Sequence, residues 1–351
     1  MIQNAHRVRL TLPALPTHPF RLTLLWGSVF GIPFLFYLGL QNLGRQPYSV
    51  IDLGTLGGTN SRANALNELS QVVGQADTPN QNSHAFFWEK GQMRDLGTLG
   101  GTLSAARDIN QKGEIVGWAQ TAMGETHACL WRNGHCLDLG TLGGQKSFAS
   151  AINEAGQVVG NAETVAKKFH AFLWEKGKMH DLGTLGGEQS EAHSLNNSGQ
   201  VVGEAKVKNQ QNHAFLWEKG EMHDLGTLGG EFSQAKSIND AGQIVGYAMD
   251  VDANHHGFLV EKGKMIDLAI VQALACDPSL ISASGQILST CEDASSSPAL
   301  RVGNTWRTLS SLVPTQTSWR LTEAHGINSK GQIVANGSRG ARTHALLITP
   351  H

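Results

Sequence analysis

Beyond residue 47 the chain never sustains an apolar period of 3.6 residues over a helical length. It alternates apolar and polar positions in short bursts cut by glycine, asparagine or polar clusters. In 176–218 the bursts are 178–182, 192–196, 200–205 and 213–217. Each has the length and boundaries of a strand, so the pattern predicts an all-β chain of short, tightly turned strands.

The bursts keep a clock. Asp-Leu-Gly-Thr-Leu-Gly-Gly begins at Asp52, Asp95, Asp138, Asp181 and Asp224, and a worn copy begins at Asp267, every interval being 43 residues. His84, His127, His170, His213 and His256 open a second string on the same clock, and Asn67, Asn110, Asn153, Asn196, Asn239 and Asn328 mark a third. Four strands in 43 residues match a propeller blade rather than a solenoid coil. The strands are named a (192–196), b (200–205), c (213–217) and d (221–225). The segments 196–199 and 217–220 read as four-residue hairpin loops ending in glycine. Loops a–b and c–d then share one face of the disc, and loops b–c and d–a the other. Type-d strands recur at 49–53, 92–96, 135–139, 178–182, 221–225, 264–268 and 305–309, while the last repeat (322–328, 332–336, 343–348) has no d strand after it. The expected fold is a seven-bladed β-propeller of 43-residue repeats whose N-terminal strand completes the last blade and removes an open edge.

Length alone, at 351 residues, suggests two domains, but the repeat makes 47–351 one architecture. Residues 22–40 carry no charge, with Arg7, Arg9 and Arg21 before them and Arg45 after. This predicts a hydrophobic helix in a separate segment, 1–46, that places the N-terminus in the cytoplasm and the repeats outside. Without a small-x-small cleavage site, an uncleaved membrane anchor is favoured over a cleaved signal peptide. Net charge is −2, and since 1–46 holds four arginines and no acid, the repeats are the more acidic part. Such a body lacks a basic footprint for nucleic acid.

The His-Ala-Phe triplets at 84–86, 170–172 and 213–215, with Ile-Asn-x-x-Gly-Gln-Val-Val-Gly upstream and Asp-Leu-Gly-Thr-Leu-Gly-Gly downstream, resemble the bacterial extracellular HAF repeat family. The resemblance covers nearly all of 47–351 and implies an exported tandem-repeat protein, with no reaction attached. The sixth unit, about 262–304, departs most, with Ser282 for Asn and Ser289 for Gly.

Four-residue c–d loops would set His84 across from Asp95, His127 from Asp138, His170 from Asp181, His213 from Asp224 and His256 from Asp267. One such pair could be a base with its orienting acid; five equal copies read as scaffolding between strands c and d. Gly-Thr-Leu-Gly-Gly lacks the lysine and following helix of a phosphate loop and reads as an inter-blade turn. Asp250, Asp252 and Asn254 have calcium-loop spacing, but His255 stands where glycine should, and Glu261 lies at the far end of strand c. No cofactor or metal is expected, and no single unrepeated catalytic constellation stands out.

The b–c loops 77–83, 120–126, 163–169, 206–212 and 249–255 share register but little sequence. The expected function is a non-enzymatic binding, adhesion or structural module at the cell envelope. It would act as a monomer, meeting a protein or glycan on the b–c/d–a face. The alternative is a glycan-acting hydrolase or lyase with its site in the propeller channel. Finally, Cys129 and Cys136 replace Phe and Met of other repeats, and Cys276 and Cys291 replace Ser and Ala. Each pair falls at facing positions of one hairpin, predicting disulfides Cys129–Cys136 and Cys276–Cys291 in an oxidising compartment.

Overall fold

Glycine and asparagine set the turns, and the turns set the sheets. The computed structural model describes residues 48–268, 276–291, 297–314 and 317–351. The apolar run 22–40 and the helix expected there lie outside them. Among the described residues no helix is long and apolar enough to cross a membrane.

After β1 (Tyr48–Asp52) the chain forms antiparallel meanders of four strands. The first is β2 (Ser61–Leu66), β3 (Val72–Asp77), β4 (Ser83–Glu89) and β5 (Gln92–Asp95). The second is β6 (Gly100–Ile109), β7 (Ile115–Thr121), β8 (Thr126–Arg132) and β9 (His135–Asp138). The third is β10 (Gly143–Ile152), β11 (Val158–Thr164), β12 (Phe169–Glu175) and β13 (Lys178–Asp181). The fourth is β14 (Gly186–Leu195), β15 (Val201–Val207), β16 (Asn212–Glu218) and β17 (Glu221–Asp224). The fifth is β18 (Gly229–Ile238), β19 (Ile244–Asp250), β20 (His255–Glu261) and β21 (Lys264–Asp267). The irregular sixth is β22 (Cys276–Ile281), β23 (Ile287–Cys291), β24 (Ala299–Val302) and β25 (Thr305–Thr308). Then β26 (Arg320–Ile327), β27 (Ile333–Arg339) and β28 (Arg342–Pro350) build a sheet whose fourth strand is β1, antiparallel to β28 from Tyr48↔Pro350 to Asp52↔Leu346. The second and third meanders also share one parallel bridge, Lys146↔Thr126. The fold is all-β and propeller-like. Cores lie between successive meanders: Val116, Leu130 and Leu139 of the second pack with Val158, Phe172 and Trp174 of the third.

The c–d hairpins differ from expectation. Their loops have two residues, not four: Glu89 pairs with Gln92 around Lys90-Gly91, both at positive φ (51° and 84°). That is the primed turn whose twist matches the strands, and Lys176-Gly177 and Lys219-Gly220 repeat it. The shorter loop shifts the register by two residues. Phe86, not His84, lies opposite Asp95, and Asp138 lies opposite Cys129.

Strand a also carries a feature absent from the predicted pattern. Its register against strand b slips at one shared point in each meander, for example between Ala149 and Ala151 and between Ala192 and Ser194, and most a strands slip a second time nearer their start, as between Gly143 and Ser147. The shared slip is a β-bulge that re-aims one side chain. Opposite it stands the glycine of Val-Val-Gly. A Cβ on Gly160 would lie 1.9 Å from the Phe148 carbonyl oxygen, and Gly117 and Gly203 are equally confined.

Candidate functional site

The repeated polar residues tie strands and meanders together. Despite the shifted register, each His Nδ1 reaches its Asp along the diagonal, where residues on one sheet face still meet. The distances are 2.7 Å for His84–Asp95, 2.8 Å for His127–Asp138, and 2.9 Å for His170–Asp181, His213–Asp224 and His256–Asp267. The first four Asp residues also accept the N–H of the glycine two residues on, as Gly97 donates to Asp95 at 2.7 Å. A further pair, which the sequence reading missed, joins His344 of β28 to Asp52 of β1 at 2.8 Å. Its signal was present: His344-Ala345 matches the His-Ala that opens strand c elsewhere.

Two more sets bridge neighbouring meanders. The Ala85 N–H donates to Ser104 Oγ at 2.8 Å, and Ser104 donates onward to the Gly97 carbonyl at 2.7 Å. Ser147, Ser190 and Ser233 repeat the first bond, and Ser61 receives the Ala345 N–H. The Asn67 side chain donates to the Asn110 carbonyl, Asn110 to Asn153, Asn153 to Asn196, Asn196 to Asn239, Asn239 to Ser282, and Asn328 to Asn67, at 3.1–3.2 Å. These groups are committed to the scaffold.

The residues the bulges re-aim share no such common bond: Asn64 donates to the Ala106 carbonyl at 2.7 Å and His325 Nε2 lies 3.3 Å from Glu323, whereas Arg107 makes neither contact. In the constant frame Ala-x-x-Ile/Leu-Asn, the bulge position holds Asn64, Arg107, Ser150, His193 and Lys236, and His325 in the last repeat. Asn64, Arg107, Ser150, His193 and His325, from five meanders, line one cavity of about 450 Å³ with Trp118, Phe148, Asn161 and Glu191. This is the unrepeated constellation the sequence reading did not find. Reading the 43-residue frame for positions that vary inside constant surroundings would have exposed it. A second, shallower cavity of about 200 Å³ sits at the Asn end and shares no lining residue with the first. Its walls include Ile109, Ile152, Leu195, Ile238 and Ile281, all buried.

Its chemistry is polar and of mixed sign. Burial lowers the Arg107 guanidinium, against the pull of Glu191, and among the described residues Arg107 makes no hydrogen bond or ion pair. Burial likewise raises Glu191, while Lys236 and Arg107 oppose the shift. Glu204, directly opposite Glu191, is raised by burial and by the Glu191 charge. Burial holds His193 down to about 3, reinforced by Lys236, so the ring is neutral at pH 7. The Gln234 amide donates to its Nε2 at 2.9 Å, leaving the ring proton on Nδ1, 3.9 Å from a Glu191 oxygen. Asp108, beside the bulge, is raised to about 6 by burial although it accepts the Ile152 and Ile109 N–H groups. Trp118 and Phe148 meet edge to face at 6.3 Å, and Phe169 continues the aromatic wall at 6.3 Å. Lys236 lies 5.5 Å from the Tyr247 ring centre, and Tyr247 stacks with Phe232 and His255.

The other predicted features fall elsewhere. The b–c loops are tight turns, closed for instance by the Thr121 N–H on the Glu125 carbonyl at 2.8 Å, with Met123 and Val165 exposed at their tips. Asp250 spends its carboxylate on the N–H groups of Asp252 and Asn254, both at 2.9 Å. Among the described residues no group of three or more His, Cys, Asp or Glu could hold a metal. Cys129 and Cys136 form a disulfide with Cα atoms 5.9 Å apart, on the diagonal rather than face to face. Cys276 and Cys291 do oppose each other in the backbone register, because a longer a–b turn and the bulge between Pro278 and Leu280 compensate. Their side chains lie outside the described residues.

No protein-family model and no curated protein sequence matches this chain. Solved structures do. The β-propeller domain of the Trilobed protease from Pyrococcus furiosus, described as having an open velcro topology, superposes with a TM-score of 0.60 at 9% identity, over 84% of this chain and 94% of that one. The BP39L lectin from Burkholderia pseudomallei gives 0.52 at 9% identity, over 87% and 96%. YCF48 bound to D1 peptide gives 0.51 at 12% identity, over 87% and 95%. At these identities the likeness establishes the β-propeller fold alone.

Proposed function

We propose that this chain is an exported, HAF-type repeat protein whose seven blades close into a ring and bind a ligand, without transforming it, in the channel mouth. The seven-blade count is supported by the 43-residue clock and by the four-stranded meanders. Closure is supported by β1 on β28 and by the Asn328-to-Asn67 bond, which continues the ladder between neighbouring meanders. Export, by anchor or by signal peptide, is supported by the leader sequence. The observation that carries the function is where the repeats differ. Bulges from five meanders bring unlike side chains into one cavity of about 450 Å³, a size suited to a small ligand.

A thermal-shift screen of the full-length protein against glycans, short peptides and small metabolites tests the reading. Ligands of the mouth stabilise the wild type and fail to stabilise Arg107→Ala or Glu191→Gln. The reading falls if no compound shifts the melting midpoint, or if both variants respond as the wild type does. A hydrolytic reading would draw on Glu191 and Glu204, opposed and both raised. Product release by the wild type but not by Glu191→Gln would replace binding with hydrolysis.

A further inference from the structure

Resting on the reading of the larger cavity as a ligand site, we propose that its ligand is a small zwitterion of the amino-acid class, with its carboxylate on Arg107 and its ammonium on Glu191. Arg107 stands on β6 of the second meander and Glu191 on β14 of the fourth, and both line the cavity. Among the described residues no ion pair joins them. The third meander lies between, bonded to its neighbours through Asn110–Asn153 and Asn153–Asn196. It brings only uncharged groups to the lining: Phe148, Ala149 and Ser150 of β10, with Asn161 of β11 opposite Phe148. A cation and an anion thus meet the cavity from either side of a neutral meander. An amino acid carries the complementary pattern, one charge of each sign a short, fixed distance apart.

The other titratable groups nearby are already answered. His193 is neutral at pH 7, and the Gln234 amide holds its Nε2 at 2.9 Å. His325 faces Glu323, which also meets Arg62 at 3.0 Å. Lys236 stands outside the lining, and the charge that holds it most is that of Glu204, ahead of Glu191. Arg107 and Glu191 remain, and the surrounding protein penalises the charged form of each. An anion would answer Arg107 and be repelled by Glu191, and a cation would do the reverse. A neutral ligand would leave both charges without a counter-charge in a site partly shielded from water. The carboxylate of a zwitterion matches the two-pronged donor of Arg107, while its ammonium meets Glu191. Trp118 and Phe148, edge to face at 6.3 Å, set aromatic carbon beside the same space. An apolar or aromatic side chain on the ligand is therefore favoured.

Calorimetric titration of the full-length protein with the common L-amino acids, and with dipeptides bearing apolar side chains, tests this. At least one amino acid with an apolar or aromatic side chain is expected to bind. Blocking either end of that ligand, as its carboxamide or its N-acetyl derivative, should weaken binding roughly tenfold or more. Arg107→Ala should weaken the free amino acid by a similar factor and leave the carboxamide unaffected, because the group it meets is already gone. Glu191→Gln should stand in the same relation to the N-acetyl derivative. A dipeptide that binds more tightly and still needs both ends free supports the same pairing. The comparison of free and blocked ligands on the wild type depends on no variant folding. The inference is overturned if no amino acid or dipeptide binds, if blocked ligands bind as tightly as free ones, or if Arg107→Ala weakens the acid and the carboxamide alike. Should a glycan alone give an Arg107-dependent thermal shift, the zwitterion falls while the cavity stands as the site.

Discussion

The shell and the mouth of this propeller obey opposite rules. In the shell one residue recurs at one position because each copy makes the same bond: Ser147 and Ser190 receive the N–H groups of Ala128 and Ala171, and Asn153 and Asn196 donate to the next carbonyl. In the cavity Asn64, Arg107, Ser150 and His193 occupy one position of the same frame and differ in charge and size. In the first five meanders the glycine opposite the bulge, such as Gly160 opposite Ala149, separates the two regimes. Constancy here reports a bond made in every copy, and variation reports the absence of that shared bond.

Removing 48–53 breaks the shell at its seam. It strips β28 of its partner, leaves His344 without Asp52 and takes out the buried Tyr48. Loss of a cooperative thermal transition by circular dichroism, with aggregation through the open edge, is expected; an unchanged melting midpoint would refute closure by β1. Next in size, Gly160→Ala drives a methyl onto the Phe148 carbonyl and should cost about 3 kcal/mol in urea unfolding, the upper range for overpacking. His170→Ala removes a half-exposed pair and should cost about 0.5–1 kcal/mol, since solvent screens it. At the bottom, Ser150→Ala in the mouth should stay within about 0.5 kcal/mol of the wild type. A mouth substitution as costly as Gly160→Ala would erase the contrast between the two regions.

Much of the fold was legible because it is local. A fixed 43-residue period, strand-length alternation and glycine-marked turns announced the blades before any coordinates. The His–Asp pairs were legible too, although through a register wrong by two residues. Lys and Glu before each glycine looked like loop, whereas Lys90 and Gly91 alone make the turn. The pairing survived because a two-residue shift keeps side chains on the same sheet face. Cys129 and Cys136 met for the same reason.

The candidate site was not legible, and the cause lies in distance along the chain. Arg107, Ser150 and His193 are 43 residues apart in sequence, and each sits on an ordinary-looking strand. Nothing local says that a bulge turns each of them inward, or that neighbouring blades bring them to one cavity. The sequence by itself determined the repeat, the strands and the partners that lie within one hairpin, because short-range pattern and turn chemistry decide those. Only the tertiary structure decided the register, the bulges and the convergence of unlike residues in one cavity, because these depend on how separate sheets pack against one another.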